Sequence, residues 1–112
     1  MIVVISQAWT KDDGEHAEAY VRLSEQFGRF FDDHPGFVRR TLVRGVEDRT
    51  HFTNMRYFDA VSSYEECTRR EGYVEHTEAM YEHMKPYDSY PREYVEVVLD
   101  TGPGASATLD PG

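Results

Sequence analysis

The chain has 112 residues, 39% of them hydrophobic and 13% aromatic, and a formal charge of −9. This length fits one domain with a core of its own, without metal or disulfide staples. The acidic balance excludes nucleic acid and an anionic membrane as partners, because both demand basic patches; the pairs Arg39–Arg40 and Arg69–Arg70 are too scattered to reverse it. A single cysteine, Cys67, excludes an internal disulfide. No apolar run approaches the roughly 20 residues of a membrane span. The start, Met-Ile-Val-Val-Ile, has no basic segment of a signal peptide, so a cytoplasmic protein is expected.

Residues 1–9 read as a strand whose apolar run Ile2–Ile5 suits cover on both faces. Residues 10–14 form a polar turn. Residues 15–33 read as a helix, with Leu23, Phe27, Phe30 and Phe31 on one face, extended by Tyr20 and Ser24. His34-Pro35-Gly36-Phe37 ends it, with Gly36 free to take a positive φ. A strand over 37–45 places Val38, Arg40 and Leu42 on one side and Phe37, Thr41 and Val43 on the other. A polar connection of hairpin length leads to a strand over 51–58. Its faces are Phe52, Asn54, Arg56, Phe58 and, opposite, His51, Thr53, Met55, Tyr57. Asp59 is placed to cap a helix over 60–84 that breaks near Gly72, with Tyr73, Thr77, Met80 and Met84 as its apolar stripe. Residues 92–100 form the last strand, with Val95, Val97 and Leu99 on one face. From Thr101 to Gly112 small and polar residues predict a flexible tail.

The order β-α-β-β-α-β predicts an α+β, ferredoxin-like domain over residues 1–100: an antiparallel sheet with both helices on one face. Strands one, two and four carry apolar residues on both sides, so the second face needs a cover. A second copy of the chain, a homodimer, is the simplest one.

The element order, the Pro35-Gly36-Phe37 turn and the aromatic end of strand three resemble the antibiotic biosynthesis monooxygenase superfamily. The resemblance implies a dimeric α+β barrel and covers residues 1 to about 100. One subgroup oxidises phenolic rings of polyketides with molecular oxygen and uses no metal or flavin. Its pattern has an asparagine on strand three, a tryptophan four residues on, a tyrosine six further, and an arginine on the second helix. Asn54 and Tyr64 fall on the asparagine and tyrosine. Phe58 stands at the tryptophan position, and ungapped spacing puts Glu78 near the arginine. The haem-degrading branch fits at none of its three positions, where this chain has Ser6 or Gln7, Phe58 and Thr68.

Oxygenation without a cofactor needs a ring that supplies the electron, hence a pocket that favours a phenolate. Asn54 and Tyr64 are candidate donors to its oxygen. Arg56 shares the Asn54 face and is a candidate counter-charge; otherwise Asn54 satisfies backbone and Arg56 reaches solvent or a carboxylate. Phe58, Trp9, Tyr73 and Met80 are candidate walls. His76 is a candidate base, or else a surface residue beside Glu75 and Glu78. His76 and His83 are seven residues apart, about 10 Å along a helix, too far to share a metal. Tyr73, Tyr81, Tyr87, Tyr90 and Tyr94 form either a pocket wall or packing under the last loop. There is no phosphate loop or nucleophile elbow. The expectation is a monooxygenase acting on a small aromatic phenol, with no cofactor and no metal. The alternatives are a non-redox isomerase, cyclase or lyase on the same scaffold, or a non-catalytic binding dimer. Oxygen uptake separates the first from the other two.

Overall fold

The computed structural model describes residues 1–86 and 91–103. The strands are β1 (Ile2–Trp9), β2 (Phe37–Arg44), β3 (His51–Phe58) and β4 (Arg92–Glu96). The helices are α1 (Glu15–Gln26), α2 (Val61–Thr68) and α3 (Tyr73–Tyr81). One antiparallel sheet runs β2-β3-β1-β4, the ferredoxin-like order expected from the sequence. The tail beyond residue 103, and Tyr87 and Tyr90, lie outside the described residues.

Register explains the layering. Directly opposed residues of an antiparallel pair share a face. β3 alternates strictly, with Phe52, Asn54, Arg56 and Phe58 buried and the residues between them half-buried. Their β1 partners are Ala8, Ser6, Val4 and Ile2. This face carries the helices and the core, built from Val4, Tyr20, Phe27, Phe31, Phe58 and Tyr64 among others. Ile5, Met55, Tyr57 and Val95 lie on the other face, and all are half-buried.

Four local expectations are corrected. α1 stops at Gln26 and continues as a tighter 3-10 turn over Phe27–Phe30. Arg40 from β2 donates to the carbonyls of Ser24 and Glu25 at 2.7 and 2.8 Å, satisfying acceptors that a helix end leaves open. Gly36 has no positive φ. A side chain there would collide with Ser63 Oγ and Asp59 Oδ1, so close approach, not turn geometry, favours glycine. In β2 the pairing slips between Phe37 and Arg39. This bulge puts Phe37 on the core side with Arg40 and Leu42, and leaves Val38 exposed. Asp59 caps nothing: Ala60 occupies the start of α2, and Asp59 Oδ1 instead accepts from Ser63 Oγ at 2.6 Å.

The second helix is broken as expected, at Gly72 with φ 89°. β4 ends four residues early, leaving Val98 and Leu99 86% and 77% exposed. The reason is its partner: Glu96 pairs with Ile2, and β1 begins there.

Candidate functional site

A cavity of about 720 Å³ opens between the helix-side face of the sheet and the helices. That size suits a ligand of several fused rings. The sheet contributes a polar floor. Asn54, Ser6 and Arg92 lie in one row across β3, β1 and β4, since Ser6 pairs with both of the others. Arg56 sits one step along β3 on the same face. Tyr20 and Phe27 come from α1, Tyr64 from α2, and Tyr73, Thr77 and Met80 from α3. Met84, Pro86 and Pro91 complete an apolar side.

Arg56 is 3% exposed. Its Nη2 donates to Ser6 Oγ at 2.5 Å. Its guanidinium lies 5.7 to 5.8 Å from the ring centres of Phe27, Phe31 and Tyr64, within reach of a cation–π attraction. Among the described residues no carboxylate pairs with it, and its Nε has no hydrogen-bond partner. Neither solvent nor a carboxylate of the described residues holds it, the two ordinary fates for such a residue. Asn54 is 5% exposed beside it.

The phenols respond to this environment. Burial raises Tyr20 above its ordinary value, and the Arg56 charge and the Asn54 side chain oppose the shift. Burial, then the neighbouring Tyr64, holds Tyr73 far above its ordinary value against the pull of Arg56 and Arg92. The Tyr64 and Tyr73 hydroxyls are 3.4 Å apart. Arg92 lies 6.0 Å from the Tyr64 ring centre. Burial works against its charge, but Tyr64, Tyr94 and Tyr73 outweigh that and raise it.

The structure therefore brings together Asn54, Arg56, Tyr64, Tyr73 and Met80 at one cavity. Three other expected residues lie elsewhere. Phe58 is fully buried beneath the cavity, packed by Phe31, Phe37 and Tyr64. Trp9 is on the opposite sheet face, stacked on His51 at 4.5 Å. His76 is buried between Phe27 and Phe30, not on the surface beside Glu75. Its Nε2 is 2.9 Å from the Leu23 carbonyl, which only accepts, so the ring carries its proton there and ties α3 to α1. Of the tyrosine group, Tyr73 and Tyr81 line the cavity and Tyr94 packs edge-on to Tyr64.

Sequence reasoning missed Arg92, Ser6 and Tyr20. Only the β1 register reveals the first two; the alternation of β1 alone could not rank Ser6 above its neighbours. It also missed that His83 pairs with His16, Nδ1 to Nδ1 at 3.0 Å. Among the described residues no three His, Cys, Asp or Glu side chains are grouped to hold a metal, and no helix is long and apolar enough to cross a membrane. Cys67 is buried, and burial pushes its thiol up, away from the reactive thiolate.

Several solved structures share this architecture. SnoaB, a cofactor-independent oxygenase from Streptomyces nogalater, superposes with a TM-score of 0.74 at 14% identity, over 88% of this chain and 93% of that one. A crystal structure of an antibiotic biosynthesis monooxygenase gives 0.72 at 15% identity, over 88% and 100%. The fold is that of the antibiotic biosynthesis monooxygenases. A conserved protein from Methanosarcina mazei Go1 shares it too, at 0.71 and 13% identity over 83% and 88%. Such identities establish the monooxygenase-type fold alone. No family model and no curated protein matches the chain.

Proposed function

We propose that the protein is a cofactor-independent monooxygenase that oxidises a polyketide-type phenol in this cavity. The observation that carries the reading is Arg56: a buried guanidinium without a carboxylate partner among the described residues, beside Asn54 at the cavity floor. A phenolate oxygen placed there supplies the missing counter-charge. Arg56 then favours the ionised phenol, and the Asn54 amide donates to the same oxygen. Tyr64, its ring 5.7 Å from the Arg56 guanidinium, is a further donor, and Phe27 and Met80 bound the ring. The electron-rich phenolate reduces dioxygen. One oxygen atom bonds to a ring carbon. The O–O bond then breaks, and the second atom leaves as water with the phenolic and ring hydrogens, giving a quinone. No reductant beyond the substrate is consumed.

Phe58 and Trp9 act on this reading only through the fold, as core filler and open-face residue. His76 serves as a positioning residue for α3 rather than as a base, because it is packed between the Phe27 and Phe30 rings and does not line the cavity. The apolar residues of the open sheet face support a homodimer, which the reading includes.

The test is oxygen uptake by metal-free protein with a panel of anthrones and naphthols. Saturable uptake with at least one compound is expected, reduced about 100-fold in Asn54→Ala, the scale of losing one donor to a developing oxyanion. Uptake unchanged by Asn54→Ala overturns the site, and no uptake with any of the panel overturns the oxygenase.

A further inference from the structure

His16 and His83 are not among the described residues that line the cavity. They stand 67 positions apart in the chain, yet their rings meet Nδ1 to Nδ1 at 3.0 Å. Both residues are half-buried. Their backbones are held from both sides. The His16 N–H donates to Asp12 Oδ1 at 2.9 Å. The Lys11 N–H donates to the His83 carbonyl at 3.0 Å, and the His83 N–H donates to the Met80 carbonyl at 3.0 Å. The first turn of α1 and the turn after α3 thus hold two imidazoles against each other. Asp12, Asp13, Glu15 and Glu82 are exposed and adjoin the pair in sequence, against Lys11 and Lys85, so the local charge draws cations.

We infer that His16 and His83 form a two-nitrogen site for a divalent transition metal, with copper(II) preferred to zinc(II). An imidazole nitrogen binds such an ion at about 2.0–2.1 Å. Two such bonds to nitrogens 3.0 Å apart subtend roughly 95° at the metal. That is near the right angle of a square-planar or tetragonal copper(II) site, and short of the roughly 109° of tetrahedral zinc. Copper(II) also heads the affinity order for nitrogen donors. Without the ion, one Nδ1 carries a proton and donates it to the other. The ring centres are then 5.2 Å apart, about two ring radii more than the nitrogens, so the rings meet nearly head-on. A turn of each ring about its soft terminal torsion aims both lone pairs at one ion, and the Nδ1 proton moves to Nε2. Among the described residues no third His, Cys, Asp or Glu joins the pair, so water fills the remaining positions. The bound ion links the start of α1 to the turn after α3, outside the cavity, and the oxygenase reading does not depend on it.

The experiment titrates the full, untagged chain with copper(II) and with zinc(II) by calorimetry, and records the electron paramagnetic resonance of the copper form. One copper ion per chain is expected, its spectrum split by two equatorial nitrogens, with zinc bound more weakly. His16→Gln and His83→Gln should each weaken copper binding about ten-fold or more, at least the loss that removing an outer-shell partner brings to a metal site. His51→Gln, whose ring stacks on Trp9 across the sheet, should leave it unchanged. The spectrum of the parent chain counts the nitrogens without any substitution, so a variant that fails to fold does not decide the matter. No saturable copper binding, a spectrum without two nitrogens, zinc bound as tightly as copper, or copper affinity that survives both His16→Gln and His83→Gln overturns the inference.

Discussion

At the residue scale, the sharpest departure from the pattern that the sequence resembles is Phe58, where that pattern has tryptophan. The ring is fully buried and its neighbours Phe31, Phe37 and Tyr64 stand 5.5 to 5.9 Å away, centre to centre. A larger indole must displace these rings. Phe58→Trp is expected to destabilise by about 1–3 kcal/mol through overpacking, and Phe58→Ala by about 3–5 kcal/mol through cavity formation. Urea midpoints check both; a Trp variant as stable as the parent would mean that the core has slack. Tyr20 and Tyr73 make a second prediction. Their ordinary value is 10.0, and burial holds both above it in the folded protein. The folded state therefore keeps protons that the unfolded chain loses. Their contribution to stability is complete below pH 10 and is lost as the pH rises above it. Ultraviolet tyrosinate absorbance should show late-titrating phenols, with urea stability falling over the same range. Eight tyrosines ionising together near the ordinary value would refute this.

At the element scale, the break between α2 and α3 turns the tyrosines of two short helices toward one cavity. Gly72 makes the break, with φ 89°. A side chain there would find its nearest neighbour, in Phe30, at 3.7 Å, so space is not the constraint. The cost of Gly72→Ala is conformational, about 1–2 kcal/mol for the left-handed backbone, and thermal melts should register it. A variant melting with the parent would show that the helices tolerate another junction. Much of this level was legible in the sequence. Period-two alternation put Asn54, Arg56 and Phe58 on one face of β3, and the helical spacing of Tyr20, Phe27 and Phe31 gave the core side of α1. The bulge at Phe37 was not legible, because a bulge is set by what β2 must pair with and not by its own alternation.

At the scale of the whole molecule, the open sheet face is what the proposed assembly rests on. Ile5 and Met55 are cross-strand partners on it. The proposed homodimer buries them, so sedimentation at micromolar concentration should give a dimer, and Ile5→Glu should give a folded monomer. A monomeric parent would remove the dimer and leave the cavity reading standing, since the described lining comes from one chain.

The sequence by itself determined the element order, the fold class, the two faces of β3 and therefore the company of Asn54 and Arg56. These follow from local periodicity, which tells each residue's side of its own element. Only the tertiary structure decided that Ser6 and Arg92 complete the Asn54 row, that Arg56 is buried without a carboxylate among the described residues, that Trp9 faces away, and that His76 is bound to a backbone carbonyl. Each of these depends on register between strands distant in the chain, or on how α3 crosses α1. Periodicity fixes direction, but convergence is settled when the elements pack.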